Sequence, residues 1–394
     1  MAATSRSWTV DEVEDIGAET FRTLAQIGHR DDEQAPFAFA LHQIDELGRE
    51  DDRYSQLRRF TYVLAALRLF DVGRGGSCRE IERLSALGDD LLRANGVPPR
   101  TSQLSFLHRD LKAARAAAMA AGGDRLRAVV ELRLGGFLAA RSVKPEPASY
   151  RLQLAEQLAA LGHLELGMAE LEALSDAAIA SADRRAALLL EARIRWLSGD
   201  RQRSLRLVEM PMEGATAQEQ AAATWLRLCS EPEVGRRLTR LLAATRAGKP
   251  HHRPLYVLRA YLWVWASESV WPLRRRPSLA ALARRRGMTF APLGVAFRAA
   301  LAVEAGYDVE IPLETRVVKL SEALLDARRA TDLEAQLLLL LAVSRCLARA
   351  KARGLADVAA AEYRELSRRL SGGRSGDVLG LATDAGRQAH DEAS

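Results

Sequence analysis

Cysteine is nearly absent from this chain of 394 residues: only Cys78, Cys229 and Cys346 occur, widely spaced. That excludes a disulfide framework and any CxxC-type zinc site, and it fits a reducing, cytoplasmic compartment. Aromatic residues are also scarce, at 6 %. Strands draw on aromatic and β-branched side chains, whereas Leu and Ala, which supply most of the apolar content here, are strong helix formers. The composition therefore predicts an all-α fold. No run of about 18 apolar residues occurs, so no membrane-spanning helix and no membrane partner are expected. The richest stretch, Leu255 to Ala266, is shorter and contains Arg259. The opening MAATSRSWTVDEVEDIG has no apolar core of a secretory signal. Lysine supplies only 5 of the 57 basic residues, and the arginine bias matches a GC-rich genome. The net charge of +6 favours solubility without demanding a nucleic-acid partner.

Catalytic and metal motifs are missing as well. The histidines His29, His42, His108, His163, His251, His252 and His390 form no HExxH and no pair at metal spacing near a cysteine. Gly73-Arg74-Gly75-Gly76-Ser77 lacks the GKS/T ending of a phosphate loop and follows a helical pattern, so it is predicted to be a turn. Paired carboxylates such as Asp31-Asp32 and Asp89-Asp90 stand at helix starts or turns, where they favour the helix dipole. No cofactor is implied, and the chain is predicted not to be an enzyme.

What is present is helical grammar. Thr9-x-x-Glu12 is a capping box, and Val13, Ile16, Leu24 and Ile27 then recur at helical spacing up to Gly28. Further helices are predicted over about 35–47, 52–70, 77–95, 103–121 and 124–142, each stopped by glycine or proline. Lys144-Pro145-Glu146-Pro147 breaks the pattern. The chain is therefore read as an N-terminal helical bundle or irregular repeats over 1–143, a repeat region over 144–370, and a small, polar tail over 371–394. Asp308 to Ile311 is the only plausible extended piece, too short for a sheet.

Within the repeat region, Leu154, Leu158, Leu161, Gly162, Gly167 and Leu171 form one unit. Leu188, Ala192, Trp196, Gly199, Ser204 and Val208 form a second, with the turn glycines 37 residues apart. A turn glycine lets two helices reverse tightly, and a small residue five positions later lets the second helix approach the first. These spacings resemble the tetratricopeptide (TPR) family, whose period is about 34 residues. The resemblance covers about 60 residues closely, with weaker candidates at 124–143 and 332–370. It implies a right-handed superhelix of antiparallel helix pairs, a TPR-like α-solenoid, with a concave groove that binds a peptide or helix of another protein. It implies an adaptor or scaffold role in a bacterial regulatory pathway. Groove-facing positions would then include Glu156, Arg193 and Trp196, although Trp196 at helical spacing also suits a core position.

A second segment carries a different possibility. In Leu279 to Phe297, Ala283, Gly287, Leu293 and Ala296 have the spacing of a DNA-binding helix-turn-helix, flanked by Arg274, Arg275, Arg276, Arg284, Arg285 and Arg286. Against it, Pro292 and Gly294 would fall inside the recognition helix, at costs of about 3 and 1 kcal/mol. The basic patch also suits an acidic partner or simply a solvated face. Tyr256, Tyr261, Trp263, Trp265 and Trp271 suit either a core helix or an interface. The alternatives to an adaptor are thus a transcriptional regulator, or an inhibitory or sensory subunit cut at an exposed loop, for which 144–147 and 214–220 are the candidates.

Overall fold

The computed structural model describes residues 8–28, 35–70, 78–121, 123–139, 142–174, 181–210, 213–230, 294–308 and 310–373. Among these residues there are fifteen helices and no strand. None of the described helices is long and apolar enough to cross a membrane. The chain divides into two compact units, Met1–Gln157 and Leu158–Ser394. The division falls later than the break at Lys144 to Pro147.

The first unit holds α1 (Val10–Gly28), α2 (Ala35–Leu47), α3 (Arg53–Leu69), α4 (Cys78–Ala94), α5 (Phe106–Ala121), α6 (Arg125–Leu138) and most of α7 (Ala148–Ala160). The Thr9 capping box forms as read: the Thr9 N–H donates to Glu12 at 2.8 Å, and the Glu12 N–H donates to the Thr9 hydroxyl at 3.3 Å. Burial alone would raise the Glu12 carboxyl, but the two Thr9 donors and Arg53 hold it below its ordinary value. From Phe60 to Leu67 helix α3 carries no charged residue on any side, and a stretch of that kind must be enclosed. Leu57, Phe60, Val63, Leu64, Ala66 and Leu67 are all buried, and α3 packs on α1, α2, α4 and α5. Aromatic pairs Trp8–Phe60 and Phe39–Tyr62, with centroids 5.8 and 6.1 Å apart, close its flanks.

Why the unit runs past the proline break is visible in α7. The Tyr150 hydroxyl donates to the Leu132 carbonyl, Gln153 reaches the Ala113 carbonyl at 3.1 Å, and Arg125 reaches Gln157 at 2.6 Å. The start of α7 is therefore tied to α5 and α6. The linker itself is held too: Lys144 pairs with Glu14 at 2.7 Å, and Arg109 donates to the Pro145 carbonyl at 3.1 Å.

The second unit continues with α8 (Leu164–Glu172), α9 (Ser181–Leu197), α10 (Arg201–Glu209), α11 (Ala217–Ser230), α12 (Gly294–Gly306), α13 (Leu313–Arg329), α14 (Leu333–Arg349) and α15 (Arg353–Leu370). Here α14 plays the enclosed role, with Leu337 to Ala342 buried in succession. Asp308, Glu310 and Ile311 lie between α12 and α13 and form no strand; Val309 lies outside the described residues. The 214–220 segment is less of a loop than its sequence suggests. Thr216 and Glu219 form a second reciprocal capping box, at 2.6 and 3.2 Å, and α11 starts between them.

Helix pairs reverse through one recurring turn. At Gly162 the His163 N–H donates to the Leu158 carbonyl at 2.9 Å, and the Gly162 N–H donates to Ala159 at 3.0 Å. This is the Schellman pattern, which needs a left-handed residue. The same bonds recur at Gly123, Gly199, Thr331 and Lys351, with φ of 88°, 84°, 50° and 60°. Five residues on, Ala128, Gly167, Ser204 and Ala356 are small and buried. The helix after the turn is often started by an aspartate: Asp124, Asp200 and Asp332 accept from the N–H of Arg127, Arg203 and Ala335.

Candidate binding site

The groove positions named from the sequence fall in both units. Glu156 is exposed on α7, in the first unit. Trp196 and Arg193 lie in the second unit, on the face of α9 that turns into the protein. Trp196 is completely buried and meets Trp225 edge-on, with centroids 6.4 Å apart and planes at 81°. It takes the core position. Its Nε1 has no hydrogen-bond partner among the described residues.

Arg193 makes a deeply enclosed ion pair. Its Nε donates to Glu334 Oε1 at 2.6 Å, and the Glu334 side chain is only 1 % exposed. The second carboxylate oxygen accepts from Trp225 Nε1 at 3.2 Å. Glu334 stands in the first turn of α14, where the helix dipole favours a negative charge. The three residues tie α9, α11 and α14 together across a separation of 141 positions in sequence. With both oxygens accepting and little room for solvent, the carboxylate is committed to the fold.

The opposite face of α9 lines a groove of about 230 Å³, shared with α8 and α10. Met168, Leu171, Leu174 and Leu188 give it an apolar floor, and Glu172, Arg184, Glu191, Arg195 and Arg203 give it a charged rim. Arg195 and Arg203 both lean on Glu191, at 3.4 and 3.6 Å. Sequence reading missed this face because Trp196 drew attention to the other one. The available signal was the Glu191–Arg195 pair at i, i+4, which marks a solvent-facing edge.

The first unit buries charge of its own between α4, α5 and α6. Lys112 lies 3.5 Å from Asp89 and 3.6 Å from Glu131, and Arg115 lies 3.3 Å from Glu131. Asp110 keeps 29 % of its side-chain surface accessible. Desolvation by the protein packed around it nevertheless pushes its carboxyl up, against the pull of Arg109 and Arg68. His108 is satisfied by the Val97 carbonyl at 2.8 Å. Cys229 and Cys346 are buried thiols, and Cys346 donates to the Gly306 carbonyl at 2.6 Å. No group of three His, Cys, Asp or Glu among the described residues is placed to hold a metal ion.

The basic patch of Arg274, Arg275, Arg276, Arg284, Arg285 and Arg286 lies outside the described residues, as do the aromatics from Tyr256 to Trp271 and the glycines at 73–76. Of the helix-turn-helix spacing only Ala296 falls within them, in α12, which begins at Gly294 and packs on α13. No family model matches the chain, and no curated protein or solved structure does either.

Proposed function

We propose that this protein is a non-enzymatic adaptor or scaffold of the cytoplasm: stacked helix pairs, similar to TPR units, that bind a peptide or helix of a partner protein. What supports this reading most is the recurring hairpin. Gly162 and Gly199 reverse the chain with the same pair of hydrogen bonds, and Gly167 and Ser204 then let the next helix close in. Units built this way bury their cores against neighbours and leave a side-chain-lined surface free for recognition. The groove along α8, α9 and α10 is such a surface, with an apolar floor at Leu171 and Leu188 and guanidinium groups at Arg195 and Arg203. Arginines at a rim suit carboxylate-bearing ligands, because the planar fork donates two hydrogen bonds at once.

The test is an affinity pull-down with the full chain from native extract, treated with nuclease, beside the variants Leu171→Asp and Arg203→Glu. A stoichiometric protein partner that survives nuclease and is lost with both groove variants supports the adaptor. Recovery of nucleic acid, with every partner lost on nuclease treatment, overturns it in favour of a regulator that acts on DNA. A protein partner retained by both variants removes the groove from the proposal.

A further inference from the structure

On its outer face α9 sets Leu188, Glu191 and Arg195 at helical spacing, so the three stand in one row along the groove shared with α8 and α10. Leu188 belongs to the apolar floor, and the two charges belong to the rim. Glu191 is the acid that two rim arginines reach. Arg195 Nε donates to its Oε1 at 3.4 Å from one turn along α9. Arg203 Nη2, in the first turn of α10, lies 3.6 Å from the same oxygen. Two guanidinium groups from two helices therefore share one carboxylate oxygen. Neither contact is tight, since charge-assisted N–H···O bonds close to about 2.7–2.9 Å. In the same unit Arg193 meets Glu334 at 2.6 Å.

Solvent reaches this cluster. The Arg203 side chain is 52 % exposed, Arg195 23 % and Glu191 22 %. A guanidinium is a planar fork that can close two parallel hydrogen bonds on a carboxylate. Here each fork turns one nitrogen toward Glu191, at long range. The rim thus already holds the kind of group it is suited to take, supplied by the chain itself and held loosely. A ligand carboxylate that arrives there competes with Glu191 and not only with water. A free anion brings nothing to offset that competition. A carboxylate carried beside an apolar side chain does, because the side chain can settle on Leu171 and Leu188. Competition built into a site in this way rejects ligands that satisfy only half of it.

We propose that Glu191 is the specificity-determining residue of the groove: it occupies the Arg195 and Arg203 guanidinium groups and yields them to an acidic polypeptide segment whose Asp or Glu lies beside an apolar side chain. The proposal rests on the reading of this groove as the binding surface, and it adds what decides which segments enter. Displacement keeps the charges matched, because the two guanidinium groups exchange one carboxylate for another. A basic segment would leave them on Glu191 and set its own cations against theirs. Glu191 touches the ligand's carboxylate only as a competitor, so removing its charge strengthens the acidic ligand instead of weakening it.

The experiment uses the full chain and two fluorescein-labelled peptides, one carrying Leu beside Glu in a Ser-rich background, the other with Gln in place of each Glu. Binding is read by fluorescence anisotropy at low ionic strength. Wild type is expected to prefer the Glu peptide by no more than about threefold, and Glu191→Gln by about tenfold or more, through tighter binding of the Glu peptide alone. Glu209→Gln, on the exposed side of α10 and outside the groove, removes the same charge and is expected to behave as wild type. An ion pair on a helix surface adds little stability, so Glu191→Gln is expected to keep the fold. Added to Glu191→Gln, Leu171→Asp is expected to weaken the Glu peptide by about tenfold or more. No binding of the Glu peptide by wild type or Glu191→Gln, an unchanged or lower preference in Glu191→Gln, or an equal gain in Glu209→Gln overturns the proposal. So does a gain that Leu171→Asp leaves intact, which puts the peptide outside the groove. Failure here is distinct from failure of the adaptor: a partner lost with both groove variants in the pull-down, beside no gain in Glu191→Gln, leaves the adaptor standing and removes only the role of Glu191.

Discussion

Helices α14 and α6 both break the rule that apolar groups go inside and charges outside, in opposite directions. In α14 a carboxylate goes inward: Glu334 is buried, and Arg193 and Trp225 answer it at 2.6 and 3.2 Å. In α6 Leu126, Val130, Leu134 and Phe137 go outward, and the Arg100 guanidinium stacks on the Phe137 ring. The inward exception is complete within the protein. Its partners come from the same unit, and its consequence is to fix which faces of α9, α11 and α14 meet. The outward exception fixes no such faces: its four side chains stay 39–65 % exposed. The two together show why a misplaced residue is informative only once its partners are known.

Removing the inward exception has the largest effect. Glu334→Ala leaves the Arg193 guanidinium and the Trp225 N–H without their acceptor, and breaking such a pair costs about 3–5 kcal/mol. The urea midpoint of the full chain measures this. Replacing both charges, Glu334→Leu with Arg193→Met, is expected to recover most of the loss, since a well-packed apolar pair of similar volume replaces a desolvated one. A loss below about 1 kcal/mol in the single variant would mean that the pair is solvated, and the contrast with α6 would collapse.

The intermediate effect concerns what locks α6. Tyr150→Phe removes the hydroxyl that donates to the Leu132 carbonyl, at a cost of about 1 kcal/mol. Burial pushes the Tyr150 hydroxyl up to about 12 from an ordinary 10.0. The folded state therefore keeps the proton that the unfolded chain loses first. This contribution is complete below pH 10.0 and is lost as the pH rises through about 12. Wild type is thus expected to lose stability faster than Tyr150→Phe over that window, and equal slopes would place the hydroxyl in solvent.

The smallest effect on stability belongs to the outward exception. Val130→Asp is expected to shift the unfolding free energy by no more than about 0.5 kcal/mol, because the side chain is 58 % exposed. A loss of several times that would show that Val130 is packed within the protein, and the contrast with α14 would collapse.

Much of the local structure was legible because its causes are local. The capping box at Thr9 forms as its spacing predicts, and α2 runs over Ala35–Leu47 as its apolar face and stops dictate. Asp124 caps α6, and Gly162 and Gly199 both reverse the chain at positive φ. The turns at Thr331 and Lys351 were not legible, since neither residue type announces a left-handed conformation. There, tertiary packing of α13, α14 and α15 outweighs the preference. The Thr216 capping box was masked by the glycine and small residues around it, which read as a loop.

The candidate site was legible only in part. Sequence spacing put Arg193 at a groove position and left Trp196 between groove and core; in the structure Trp196 is buried against Trp225 and Arg193 pairs with Glu334. The choice of face depends on a partner 141 residues away, which no local pattern encodes. By itself the sequence determined that this protein is helical and where many of its helices start and turn, because propensity, capping and glycine conformation act within a few residues. Tertiary structure alone decided that Glu334 is inside and that Leu126 and Leu134 of α6 are outside, because burial is a property of what packs against a residue and not of the residue.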